Sequence, residues 1–225
     1  MVMDAADKAN LKLRILSAGV LIPVSLGAIY IGGVIYNLFI TVFAGVAIYE
    51  WMKLAQKTNY SIILSILGFL YIACAGFSIY TLREWGWDIP LLFFSVVWAS
   101  DIGAYLFGKW IGGRKMLPNI SPNKTWAGFL GACLFPVFIF FAWIFLQGKW
   151  DADEIFVFMP IGFFFGFLCQ VGDLIVSKLK RVAGQKDSGI LIPGHGGVLD
   201  RIDALLLSSI FFAALLIWLS WIGPF

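Results

Sequence analysis

The chain alternates long apolar stretches with short polar ones. Apolar residues run almost unbroken over about 13–32, 34–52, 61–80, 89–108, 127–147, 155–176 and 203–222. Each run approaches the ~20 residues that a helix needs to cross the ~30 Å hydrocarbon layer of a bilayer. Only helical bundles and closed barrels satisfy every backbone polar group in lipid, and a barrel strand would show alternation that these runs lack. The pattern therefore predicts an all-α protein, a polytopic transmembrane bundle of about seven spans. It reads as a single integral-membrane domain over 1–225, with the first two spans joined by a short turn at Gly32–Gly33 and polar loops at 109–126 and 177–203.

Composition agrees. The chain is 61% hydrophobic, against about 45–50% for a globular domain. The first run is expected to be retained, because its lead carries Asp4 and Asp7 beside Lys8, Lys12 and Arg14, and no A-x-A site follows. Cys74, Cys133 and Cys169 lie singly within spans and read as small apolar packers. With seven spans, fourteen of the 16 Lys and Arg fall on the side of the N-terminus, and only Arg83 and Lys149 on the other. Basic loops stay in the cytoplasm, so the N-terminus is expected to be cytoplasmic, with the polar loops opening to the same side.

Candidate chemistry lies in the acids at span ends. Asp101 and Asp173 fall within the fourth and sixth runs, where a carboxylate is costly and marks a functional site by default. Along "GDLIVSKLKR", Asp173 shares a helical stripe with Ser177, Lys180 and Arg181. In "LDRID", Asp200 and Asp203 stand three apart, with Arg201 to the side. Carboxylates from two neighbouring helices suit a hard divalent cation such as Mg²⁺, which takes a few acids plus substrate phosphates. Asp200 also fits a plain helix N-cap.

The intervening "GQKDSGILIPGHGGVLD" offers glycines, Lys186 and His195 to phosphate oxygens. Earlier, Asp101, Tyr105 and Gly108 share a face, Arg114 follows, and "SPNKTWAG" offers Ser121 as a cap with Lys124 and Thr125 at a helix start. Such a start is an anion site, or simply a capped helix with a topogenic lysine. Glu50 ends the second run beside Trp51 and reads equally as an interfacial residue.

These segments resemble phosphatidate cytidylyltransferases, the CDP-diacylglycerol synthases. "SKLKRVAGQKDSGILIPGHGGVLDRID", residues 177–203, resembles their signature almost position by position, and "SPNKTWAG", "DIGAYLFGKWIGGRK" and "YEWMKLA" also look like family segments. The resemblance implies an Mg²⁺-dependent enzyme that converts CTP and phosphatidate to CDP-diacylglycerol and pyrophosphate. A monovalent cation such as K⁺ is admitted as a second charge. Asp173, Asp200 and Asp203 would hold the metal, and Lys124, Arg181, Lys186 and Arg201 would bind phosphates. His195, Gly196 and Gly197 would meet the triphosphate, and Ser121 and Thr125 would donate hydrogen bonds. Asp101 would order a base or help hold a cation, while Arg114, Ser177 and Lys180 complete the substrate-binding set.

The expected partners are CTP, phosphatidate and the bilayer, with room for a homodimer and none for nucleic acid. The expected location is a bacterial plasma membrane, with the site facing the cytoplasm. A CTP-dependent polyprenol or phytol kinase is the nearest rival. An ion-coupled transporter fits less well, because the acids gather at one edge rather than at the midplane.

Overall fold

The computed structural model describes residues 19–148, 152–191 and 196–222, without the side chains of 152–155 and 222. Its long elements are helices: α1 (Gly19–Ile31), α2 (Gly33–Ala55), α3 (Ser61–Leu82), α4 (Asp88–Trp110), α5 (Trp126–Leu146), α6 (Ala152–Val182) and α7 (Leu199–Ile222). Six of these, α2 to α7, are long and apolar enough to cross a membrane; α1 is shorter. The polytopic bundle is therefore as expected. Residues 13–18 of the first predicted span lie outside the described residues, so its full length does too.

Two boundaries differ usefully from the hydropathy pattern. Helix α6 continues to Val182, past the apolar run that ends near 176. Its 31 residues correspond to about 46 Å, more than the hydrocarbon layer, so its polar last turns stand beyond the apolar zone. Helix α7 begins at Leu199, not 203, which puts Asp200 in its first turn.

The loop after α4 is also more ordered than predicted. Gly112 and Gly113, at φ 63° and 89°, turn the chain out of α4. A small antiparallel hairpin follows, β1 (Lys115–Leu117) on β2 (Ser121–Thr125). Ser121 is thus a strand residue paired with Leu117, not the cap of α5. That cap is Thr125, whose Oγ1 accepts from the Gly128 N–H at 3.1 Å.

Helices α4, α5, α6 and α7 pack in sequence order, α3 lies against α7, and α2 against α3. Small residues set the closest contacts, as in membrane bundles generally. A Cβ at Gly131 would run into the Gly103 carbonyl oxygen, and one at Gly166 into the Ala132 carbonyl. A Cβ at Gly172 would sit 2.7 Å from the Asp203 carbonyl oxygen, so glycine there lets α6 meet α7 beside Asp173. Phe93, Phe140, Phe165 and Phe212 fill the bundle's interior, with the Phe165 and Phe212 centroids 5.1 Å apart. Val34, Ile62, Phe77, Phe138 and Trp218 point outward, as lipid-facing side chains do.

Candidate active site

Contacts bring the polar residues to one end of the bundle. Arg181 Nε, at the end of α6, donates to the Ile120 carbonyl in the hairpin turn at 3.0 Å. Glu50, at the end of α2, accepts from the first backbone N–H groups of α7. The ends of α2, α4 and α6, the starts of α5 and α7, and the hairpin therefore share one pole.

A polar cavity of about 490 Å³ opens there, lined by Asp101, Tyr105, Gly108, Lys124, Gln170 and Asp173 among others. Lys124 is its centre. Its ammonium lies 2.7 Å from Asp173 Oδ2 and donates to Gln170 Oε1 at 2.8 Å. Ser177 Oγ, one turn after Asp173, donates to Asp173 Oδ1 at 3.0 Å, as the i, i+4 spacing implied. Asp101 and Asp203 both lie within Coulombic reach of Asp173, and the cations Lys124 and Arg201 both offset that repulsion at Asp101. Tyr71, from α3, brings a buried hydroxyl into the same field; it has no hydrogen-bond partner among the described residues.

A second network lies beside the first. Lys180 Nζ sits 2.6 Å from Asp200 Oδ1, with only 10% and 6% of the two side chains exposed. Asp200 Oδ2 lies 2.8 Å from the Ser188 N–H, 2.9 Å from Ser188 Oγ and 3.0 Å from the Gly197 N–H. Glu50 is almost wholly buried and accepts from Val198 N (3.1 Å), Leu199 N (2.8 Å) and Ser188 Oγ (2.9 Å). A carboxylate at a helix N-terminus satisfies orphan N–H groups and complements the helix dipole. Glu50 therefore caps α7 from a distant helix.

The sequence profile of the cytidylyltransferase family matches residues 56–219. The chain belongs to the cytidylyltransferase family. A phosphatidate cytidylyltransferase of Brucella suis biovar 1 (strain 1330) is 32% identical over 252 residues, covering 89% of this chain and 91% of the relative. That of Rickettsia bellii (strain RML369-C) is 36% identical over 214 residues, covering 90% and 89%. That of Rickettsia felis (strain ATCC VR-1525 / URRWXCal2) is 34% identical over 220 residues, covering 94% and 96%.

Within this cytidylyltransferase, the residues singled out from the sequence divide into groups. Asp101, Lys124, Thr125 and Asp173 line one cavity, with Ser177 bonded to Asp173. Asp203 faces the same acids, but Asp200 belongs to the Lys180–Ser188–Glu50 network, where Lys180, two backbone N–H groups and the Ser188 hydroxyl it shares with Glu50 lie on its two oxygens. Among the described residues, no three acids converge closely enough to hold a metal as they stand.

Lys180 and Arg181 diverge, one to Asp200 and the other to Ile120. Lys186 lines a separate opening of about 730 Å³ with Glu50, Lys53, Lys57 and Asp187. Arg114 is exposed, and Arg201 lines an apolar cavity. His195 lies outside the described residues.

Gly196 and Gly197 serve carboxylates here. A Cβ at Gly196 would sit 2.8 Å from Asp200 Oδ2, and one at Gly197 would strike Ser188 Oγ and Glu50. The roles of Glu50, Ser188 and Gln170 were missed. "YEWMKLA" drew notice to Glu50, but only its partners on α7 reveal what it does.

Proposed function

We propose that this chain transfers the cytidylyl group of CTP to phosphatidate, yielding CDP-diacylglycerol and pyrophosphate, at a site opening to the cytoplasm of a bacterial plasma membrane. Family membership and the activity for which the relatives are named support the reaction. The observation that carries the site is the Lys124–Asp173 pair, which links the hairpin to α6 on the wall of a polar cavity at the bundle's end. The basic bias of the loops supports the cytoplasmic side.

A phosphatidate phosphate oxygen attacks the α-phosphorus of CTP; the bond to the β-phosphate oxygen breaks, and pyrophosphate departs. The attacking oxygen is already anionic, so positioning and charge neutralisation are the protein's main tasks. Lys124 swings between Asp173 and an incoming phosphate. Gln170 and Ser177 hold the Lys124–Asp173 pair in register. Asp101, Asp173 and Asp203 would hold Mg²⁺ only after drawing closer than they stand here and after Lys124 leaves Asp173; when bound, the ion supplies charge neutralisation on the phosphates. The acids' hard oxygen donors suit that ion. Asp200 positions rather than ligates. Its carboxylate holds Lys180, Ser188 and Gly197 against the start of α7.

The deciding assay gives the purified protein CTP labelled at the α-phosphate, with phosphatidate, and follows the label into extracted lipid. The reading expects labelled CDP-diacylglycerol, its loss with EDTA and its return with Mg²⁺. Transfer of a γ-label instead would replace it with a lipid kinase.

A further inference from the structure

Nucleotide chemistry leaves one large feature unused. A cavity of about 320 Å³ lies between α1, α2, α3, α4 and α7, walled by Leu21, Phe39, Ile72, Phe94, Trp98 and Leu205 among others. That size falls in the ~300–1,000 Å³ range of small-molecule sites. Among the described residues, Arg201 is the one charged residue in its lining.

The cavity is related to the polar one through a single stripe of α4. Phe94, Trp98, Asp101, Tyr105 and Gly108 follow one another at spacings of four, three, four and three, so they share one helical face. The first two line the apolar cavity, and the last three line the polar cavity. The face changes chemistry along its length, over about 21 Å. Arg201 stands at the change: it lines the apolar cavity and acts electrostatically on Asp101. An apolar slot ending at a guanidinium, next to an anion-handling cavity, is complementary to a lipid that carries a phosphate.

We propose that this cavity is the acyl-chain subsite of the lipid substrate, and that Arg201 meets the lipid phosphate where the two cavities adjoin. The inference rests on the cytidylyl-transfer reading and adds where the phosphatidate tail lies. The subsite makes chain length a determinant of turnover. Because α2 and α4 end, and α3 and α7 begin, at the polar pole, Phe39, Ile79 and Phe94 form the deep end and Ile202 the shallow one.

Two measurements test it. The wild-type protein in nanodiscs is irradiated with phosphatidate bearing a diazirine at the end of one acyl chain, and adducts are mapped by mass spectrometry. The subsite predicts adducts on the cavity-lining residues of α2, α3 and α4, reduced at least ~10-fold by unlabelled phosphatidate. Adducts spread over outward residues such as Ile62 and Phe138 would overturn it. So would equal labelling of the cavity by a phosphatidylethanolamine probe, which would mark a structural lipid.

The second measurement fills the cavity through Gly76→Leu, a lining position where an added Cβ would meet only Ala44 Cβ, at 3.4 Å. The expected result is a fall of at least ~10-fold in kcat/KM for dioleoyl phosphatidate and less than ~2-fold for dioctanoyl phosphatidate. An unchanged ratio between the two lipids removes the subsite while leaving the reaction standing. A wild-type protein that labels neither lipid from α-labelled CTP removes the reaction itself.

Discussion

Ser188 Oγ stands 2.9 Å from Glu50 Oε2 and 2.9 Å from Asp200 Oδ2, joining carboxylates from the second and last helices through one hydroxyl. Residues 138 positions apart are thereby held in one buried network. Replacing Glu50 by Ala would orphan the Val198 and Leu199 N–H groups, each at a cost of about 1–3 kcal/mol. Glu50→Ala is expected to lower the melting temperature in detergent and remove most activity. Glu50→Gln, which keeps an acceptor, should lose clearly less of both. A Glu50→Ala protein that melts and turns over like wild type would show that α7 needs no remote cap.

Asp200 and Asp203 should separate by experiment. Asp200→Asn weakens the bond to Lys180 and sets an amide against backbone donors, so both stability and turnover should fall. Asp203→Asn relieves repulsion among Asp101, Asp173 and Asp203, so its melting temperature should hold or rise while activity collapses or needs at least ~10-fold more Mg²⁺. Thermal unfolding and Mg²⁺ titration of both variants check this. An altered Mg²⁺ requirement in Asp200→Asn with unchanged melting would reverse the two roles.

Lys124→Met keeps the length of the side chain and removes its charge. Among the described residues Asp173 would keep only its Ser177 bond, and the phosphates would lose a cation on the cavity wall. A loss of about 10²–10³-fold in kcat/KM is expected, the scale for deleting one preorganised charge-stabilising donor. Turnover within a few-fold of wild type, measured from α-labelled CTP, would move the phosphate contact elsewhere.

Two glycines give opposite expectations for the same added methyl. Gly131→Ala drives a Cβ into the Gly103 carbonyl and should destabilise by about 1–3 kcal/mol, loosening α5 from α4. Gly45→Ala meets nothing within 4 Å and should be neutral or stabilise by up to about 1 kcal/mol through helix propensity. Melting temperatures of the two variants decide the matter.

The bundle was legible because lipid forces its elements to be long, apolar and internally bonded. The Asp173–Ser177 bond was legible too, since both residues sit on one helix and a fixed period relates them. The limits of that period show at Lys180 and Arg181: adjacent residues project about 100° apart, and only neighbouring chains reveal where each points. Three-residue β1 is too short to leave a periodic trace, so the sequence hides the hairpin and offers Ser121 as a cap. The capping role of Glu50 carries no local signal, because its partners are remote. Glycines 196 and 197 announced close approach correctly, but what approaches them within the protein is a carboxylate.

Helix α6 carries Gln170, Asp173, Ser177, Lys180 and Arg181 on one uninterrupted rod. An axial slide of a single residue, about 1.5 Å, would take Gln170 and Asp173 from Lys124, part Lys180 from Asp200 and release Ile120 from Arg181 together. Each of these α6 contacts is thus indexed to the immersion depth of that one rod. Bilayer thickness, which sets such depths, is the variable to which that alignment would answer, in a protein whose product is itself destined for the bilayer.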